Sequence, residues 1–537
     1  MKKKNLIFIF SIVLLFLTSL NSCTDNWDTH YSAVSGEKSD LNLYEYIKAQ
    51  DSLSIFTKMI EIAGYDSVLS KSQTYTVWAP VNSALESINL NDTSLVAEIV
   101  KNHIARFSYS TSAITAKPIY MMANKIVLFA GNGSNFTFGG KNITKSDIAT
   151  VNGIIHYIDN YVPYLSNIWE YIGKTEGLDS LKQYLYSNSK FQFDLAASGN
   201  DIGTDAQGQL LYDSVFVFTN RIMNRLGSLS MEDSLYTAIL PNNVAWKEAS
   251  DRIKLYYKTL EADGGAAKQR EYTQWSIFQD LIFRKQVANT TAFDSLVSTY
   301  GNVFYKPSTL FEGATKVDVS NGIAYVTSNL KHKATESWQK EIRIEAEYVS
   351  FNEAGTKSNF DILQKTSFGT SYSFSGDKYI YAKNLTTTDF SVAFIKFPIP
   401  NTLSAKYNIY CVFAPATLDA AADTLTSKVK FYLSYIDANG KPITDAPIDA
   451  SNKILAVGKT AGIFTTNKRT KTEMFVTQFE FPFCNLIDYE NLLSVATVKL
   501  KVENAVKKAE VPTPNLTPKN PSTKDVRIDC IILKPVL

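Results

Sequence analysis

The chain has 537 residues, of which 45% are hydrophobic, 12% aromatic and 20% charged. That length suits two to four domains, and the composition supports packed cores and excludes a mostly disordered chain. With 54 Lys+Arg against 52 Asp+Glu, the formal charge of +2 argues against a nucleic-acid partner, and only 4 His leave little material for chemistry built on a histidine cluster.

Lys2, Lys3 and Lys4 open the chain, followed by a 15-residue apolar run, Leu6–Leu20. A mature membrane span takes about 20 residues, so this run is too short to be one. Leu20-Asn21-Ser22-Cys23 follows. A small residue before a single Cys at the end of such a run resembles a bacterial lipoprotein lipobox. The resemblance implies a signal peptide over 1–22, cleavage before Cys23, and acylation of its thiol (palmitate) and new amino group. The implied partner is a lipid bilayer. Loss of the leader leaves 51 basic against 52 acidic residues. No later segment reaches 18 uninterrupted apolar residues, so a soluble body is expected beyond a tether at 23–41. Asp25 and Asp28 resemble surface-export signals of some Gram-negative lipoproteins, which implies the outer face of the outer membrane.

Internal repetition organises the next 290 or so residues. Asn42-Leu43-Tyr44-Glu45-Tyr46-Ile47 recurs as Asn167-Ile168-Trp169-Glu170-Tyr171-Ile172. Tyr75-Thr76-Val77-Trp78-Ala79-Pro80 recurs as Tyr236-Thr237-Ala238-Ile239-Leu240-Pro241. Val151-Asn152-Gly153-Ile154-Ile155-His156 recurs as Ser320-Asn321-Gly322-Ile323-Ala324-Tyr325. The offsets of 125, 161 and 169 place insertions in the second copy, at 191–235 and in the charged stretch Lys247–Arg270. The first block predicts a helix, with Ile47, Ile55, Met59 and Ile60 at helical spacing. The second predicts a β run stopped by Pro80, then Asn82 as the N-cap of a new helix. The third predicts a type I′ hairpin turn with positive φ at Asn152 and Gly153.

These blocks resemble fasciclin (FAS1) domains. The matching motif residues are Pro80, Asn82, His103 (within Val100-Lys101-Asn102-His103-Ile104), Asn152, Gly153 and His156. The resemblance covers 42–165 closely. It covers 166–332 in a divergent form, where Phe278-Gln279-Asp280-Leu281 replaces the first His segment and Tyr325 replaces His156. It implies two α+β domains used for adhesion or binding. His103 and His156 admit two readings: ligand contacts, or buried residues satisfying hydrogen bonds.

Beyond Lys331, period-two alternation replaces helical spacing, beginning with Glu341–Val349. About eight strands separated by turns, such as Asp437-Ala438-Asn439-Gly440, predict an all-β jelly-roll sandwich over 340–537. Ile344-Glu345-Ala346-Glu347 and Val526-Arg527-Ile528-Asp529-Cys530 resemble the first and last strands of galactose-binding-like carbohydrate modules. That resemblance implies a structural Ca²⁺ held by Glu345, Glu347 and Asp529, with Glu345 and Glu347 on one face of a strand. No other cofactor is expected. Cys411, Cys484 and Cys530 form no CxxC pair, so no zinc site is expected, and buried free thiols are the plainer reading.

Gly173-Lys174-Thr175 and Gly458-Lys459-Thr460 lack the earlier glycine of a P-loop, and no nucleophile elbow or His-Glu-x-x-His occurs. Asp-Ser/Thr-apolar triplets occur around Ser52, Ser67, Ser180, Ser214, Ser234, Ser295 and Thr424. They resemble an O-glycosylation sequon of exported Gram-negative proteins; helix capping is the competing reading. The expected whole is multidomain: two α+β fasciclin-like domains, then a β-sandwich, without catalysis. Glycan capture, or docking beside a starch-utilisation-type transporter complex at the outer membrane, is the expected role, with polysaccharide as ligand. The alternatives are an adhesion or matrix protein and, more weakly, a glycoside hydrolase.

Overall fold

The computed structural model describes residues 37–112, 114–194, 196–199, 201–204, 209–212, 215–348, 357–366, 372–418, 425–486 and 496–537. Cys23, the leader, most of the tether, and the candidates Ser214 and Thr424 lie outside the described residues. Contacts divide the chain into two compact units. The first is Met1–Lys174, Ser228–Tyr236 and Val317–Ala324; the second is Thr175–Gly227, Thr237–Lys316 and Tyr325–Leu537. The architecture is multidomain, with α+β repeats followed by a β-sandwich.

The first unit holds a seven-stranded sheet. Its strands are β1 (Tyr75–Pro80), β2 (Ile104–Arg106), β3 (Ala116–Tyr120), β4 (Ile126–Asn132), β5 (Asn135–Phe138), β6 (Lys141–Thr150) and β7 (Gly153–Ile158), in the order 2-1-7-6-5-4-3. β1 and β7 run parallel and are buried along their whole length, as their near-continuous apolar sequences require. Successive side chains of β1 face opposite sides, so one strand serves two cores. Val77 and Ala79 pack with Phe56, Met59 and Ile60 of the helix Ser54–Ile62. Trp78 faces the other way, stacked on Phe138 at 4.2 Å between ring centres. The helix Leu43–Lys48 starts at a capping box: Asn42 accepts from the Glu45 amide, and the Glu45 carboxylate accepts from that of Asn42.

Two turn expectations need correction. Val151 and Asn152, not Asn152 and Gly153, occupy the turn between β6 and β7, because Thr150 pairs with Gly153. Gly153 is absent from the positive-φ residues. It is required by proximity instead: a Cβ there would lie 2.0 Å from the Tyr75 carbonyl oxygen. Asn82 likewise does not cap its own helix, Asn82–Leu85, whose N-cap is Val81. Its side chain reaches back across the sequence, accepting from the Ile55 amide at 2.9 Å and donating to the Asp51 carbonyl at 2.8 Å.

The second repeat forms a four-stranded sheet, in the order Ile282–Phe283, Tyr236–Pro241, Gly322–Thr327, Thr315–Val319. The 191–235 insertion contributes the antiparallel pair Ser189–Phe193 and Phe216–Asn220 and the helix Arg221–Leu226. Lys247–Arg270 falls on the helix Asn243–Ile253, two 3₁₀ turns and the start of the helix Gly265–Phe278.

The sandwich has two six-stranded antiparallel sheets among the described residues. In one, Val526–Pro535 runs between Lys378–Asn384 and Lys406–Phe413, and Ile342–Glu345 also pairs with it. The other centres on Lys428–Ile436 and Lys499–Asn504. The opening strand stops at Glu345, and Ala346–Tyr348 is a 3₁₀ turn. Glu347 therefore does not share a strand face with Glu345, contrary to the alternation in the sequence.

Candidate functional site

Two of the carboxylates singled out near the sandwich's ends, Glu345 and Asp529, converge, and Glu347 lies close enough to feel their charge. Glu345, at the end of its strand, lies opposite Cys530 in register, and Asp529 precedes that cysteine. Asp529 is fully buried and Glu347 nearly so. Asp529 Oδ1 accepts from the Ser375 amide at 3.0 Å, and Glu345 Oε1 accepts from the Ser375 hydroxyl. The other carboxylate oxygens are poorly served: both of Glu347 and Oε2 of Glu345 are buried without a hydrogen-bond partner among the described residues. Asp529 Oδ2 has Lys471 Nζ at 3.0 Å as an ion pair, although the geometry falls short of a hydrogen bond. Burial, then the Glu345 and Asp529 charges, push the Glu347 carboxyl above the ordinary range. Burial also raises Asp529, against the opposing pull of Lys471.

A cation fits this arrangement. Unpartnered buried carboxylate oxygens are costly, and a hard cation satisfies them with oxygen ligands. One Sγ also falls in the cluster: oxygens of Glu345 and Asp529 and the sulfur of Cys530 lie within 4.8 Å of one another. Burial holds that thiol up at about 12, so it remains protonated and the hard carboxylates are the suitable donors. Among the described residues, Cys411 and Cys530 are buried free thiols, as expected, whereas Cys484 is only partly buried.

The two histidines of the first repeat are structural. His103 Nδ1 donates to the Ile99 carbonyl at 2.8 Å, and its Nε2 accepts from the Val162 amide at 2.9 Å. His156 Nε2 donates to the Tyr109 carbonyl at 2.8 Å, and its Nδ1 accepts from the Asp147 amide at 3.2 Å. These bonds fix the tautomers. Both rings are fully buried, which lowers His103 to about 4 and pushes His156 down as well. Neither ring has a nitrogen left over for a ligand. Asn152 is structural too. It accepts from the Leu43 amide at 2.8 Å and donates to the Leu69 and Lys71 carbonyls at 2.7 and 2.6 Å.

Of the sequon candidates, Ser52, Ser67 and Ser295 are exposed and Ser180 and Ser234 half-buried. Asp51, Asp66 and Asp179 open short helical segments, but as first helical residues without a side-chain cap bond. Sequence reasoning singled out no binding aromatics. The structure gathers Trp275, Tyr300, Trp338 and Tyr407 around one cavity of the second unit. Their separation along the chain left no local motif to find.

Residues 51–162 match the fasciclin domain model. They form a fasciclin domain. Pig transforming growth factor-beta-induced protein ig-h3 is 24% identical over 228 residues, 41% of this chain and 28% of that protein. Human periostin is 23% identical over 214 residues, 38% of this chain and 24% of that protein. The match thus spans about a quarter of these relatives' length. Among solved structures, the FAS1 domain pair of the insect cell adhesion molecule fasciclin I is 14% identical, covers 53% of this chain and 98% of that one, and has a TM-score of 0.21. A C-terminal family 22 carbohydrate-binding module of Clostridium thermocellum is 13% identical and covers 34% of this chain and 89% of that one, with a TM-score of 0.18. The fasciclin domain is fixed by the sequence match over residues 51–162.

Proposed function

We propose that this is a lipid-anchored outer-membrane surface protein with a non-enzymatic binding role: capture of glycan, or docking beside a starch-utilisation-type transporter complex. The observation that carries the binding role is the use of the fasciclin motif. Pro80, Asn82, His103, Asn152, Gly153 and His156 all serve the scaffold, with both histidine rings fully bonded, so these motif residues hold a frame. Acylation of Cys23 confines that frame at a membrane and raises its effective concentration near a target. Ser52, Ser67 and Ser295 are exposed enough to carry O-linked sugar.

Glu345, Glu347 and Asp529 would hold a structural Ca²⁺, which would supply hard positive charge and tie the sandwich's first strand to its last. The full chain is expected to melt several degrees higher in millimolar CaCl₂ than in EDTA. Asp529→Asn should abolish that difference; an equal difference in the variant removes the calcium assignment.

Affinity electrophoresis against a panel of polysaccharides tests capture, and co-purification from solubilised membranes tests docking. Retardation in a glycan gel supports capture, and recovery with transporter subunits supports docking. Recovery only with proteins of other cells or matrix supports the adhesion reading. Mass analysis of the amino terminus tests the anchor: an unacylated Cys23 overturns it.

A further inference from the structure

A second site lies within the second unit, apart from the carboxylate cluster. It is a cavity of about 700 Å³, within the usual range for small-ligand sites. Trp275 of the helix Gly265–Phe278 and Tyr300 meet at 81° with ring centres 5.4 Å apart. The guanidinium carbon of Arg225 sits 3.9 Å from the centre of Trp275 and 6.0 Å from that of Tyr300. Arg225 thus covers a face of Trp275, whereas Tyr300 is 43% exposed and offers an apolar surface suited to the C–H face of a sugar ring.

The charge balance adds specificity. Arg221 and Lys268 both pair with Glu271, at 2.9 and 3.0 Å, and Glu341 pairs with Arg343 at 2.6 Å. Arg225 and Lys340 line the cavity and form no ion pair with a described carboxylate. Lys340 is nevertheless held in place. It donates to Oδ1 of Asn302, whose amide donates to buried Asp280 at 2.8 Å. Asp280 also accepts from the Ser298 hydroxyl at 2.6 Å and the Ser337 hydroxyl at 2.5 Å. Asn302 and Ser337 line the cavity, so its polar wall is a satisfied, locked network that presents an ammonium group.

We infer that this cavity binds an acidic glycan segment, a uronate-containing oligosaccharide. Its carboxylates meet Arg225 and Lys340, and one ring face rests against the exposed Tyr300. The inference rests on the glycan-capture reading and gives it a site and a ligand class. Tri-galacturonate and its full methyl ester are suitable probes, because they share one sugar skeleton and differ in charge. Titration of the full chain, followed by tryptophan fluorescence and calorimetry, should show tri-galacturonate binding at least tenfold tighter than the ester and weakening as salt is raised. Arg225→Met and Lys340→Gln should each weaken tri-galacturonate about tenfold and leave the ester unchanged. Lys340→Gln provides the reading if Arg225→Met fails to fold. Equal affinity for acid and ester, or unaltered tri-galacturonate binding in folded variants, overturns the acidic-glycan assignment alone. Binding of neither probe, together with a blank polysaccharide panel, overturns the glycan reading as well.

Discussion

In the first repeat, the Thr76 hydroxyl donates to the Phe107 carbonyl at 2.7 Å and accepts from the Tyr109 amide at 2.9 Å. In the second, Thr237 does the same with Lys285 and Val287, at 2.5 and 2.9 Å. Asn152 ties Leu43, Leu69 and Lys71 in one; Asn321 ties Ile168, Leu229 and Met231 in the other. Asn82 holds Ile55, and Asn243 holds Ser180. Where the residue type changes, the bond persists: His156 Nε2 meets the Tyr109 carbonyl, and the Tyr325 hydroxyl meets the equivalent Val287 carbonyl at 2.6 Å. Divergence has changed the donors while the backbone groups needing a partner stayed the same. A buried carbonyl must be satisfied, and any side chain of suitable reach suffices.

The largest expected effect follows from the two close approaches. A Cβ at Gly322 would lie 1.8 Å from the Tyr236 carbonyl oxygen, at a φ of +143°, and one at Gly153 would lie 2.0 Å from that of Tyr75. Gly322→Ala and Gly153→Ala should each cost more than about 4 kcal/mol, seen as loss of the cooperative melt. A wild-type melt in either variant would break the equivalence of the repeats at this position.

Acid should act on buried imidazoles in both units. His103 and His332 are held near 4, both by burial, against an ordinary imidazole value of 6.5. Among the described residues, neither ring nitrogen of His332 has a hydrogen-bond partner. Between these values the unfolded chain takes up a proton that the folded chain refuses. Stability should therefore fall as pH drops from about 6.5 to about 4 and change no further from these groups below that, by up to ~3 kcal/mol per imidazole. Denaturant midpoints measured across pH 4–7 check this. His332→Phe should flatten part of the slope; an unchanged slope would exclude His332 as a source.

Asn152→Ala and Asn321→Ala sharpen the comparison further. Each removes three bonds to backbone groups, and each should cost about 2–4 kcal/mol in chemical denaturation. A cost in one repeat alone would show that only that repeat depends on the tie. The smallest effect belongs to Tyr325→Phe, which keeps the ring and leaves the Val287 carbonyl unpaired, at about 1–2 kcal/mol.

The first unit adds a contact that no repeat motif announces. Lys125 is buried between Glu170 at 2.7 Å and Glu232 at 2.6 Å, residues far apart in sequence. A lone lysine in a turn carries no sign of this. The same holds for Lys340, which meets Asn302, and Arg225, which meets Trp275, only once the chain has folded. By contrast, the fasciclin blocks and the Pro80 stop were readable because each is a local pattern, and the carboxylate-bearing ends of the sandwich were readable through their resemblance to carbohydrate modules.

The duplication, the strand-rich character of the C-terminal part and the strand end at Pro80 were set by short-range patterns: repeated blocks, alternation, and punctuating prolines and turns. Tertiary structure alone decided the order of strands, that Gly153 answers to a neighbouring carbonyl, that Asn82 reaches across to another helix, that Glu345 and Asp529 converge, and that aromatics distant in sequence line one cavity. The reason is the range of the forces. Backbone propensity acts over a few residues, whereas steric exclusion, burial and charge pairing act between whatever the folded chain brings close.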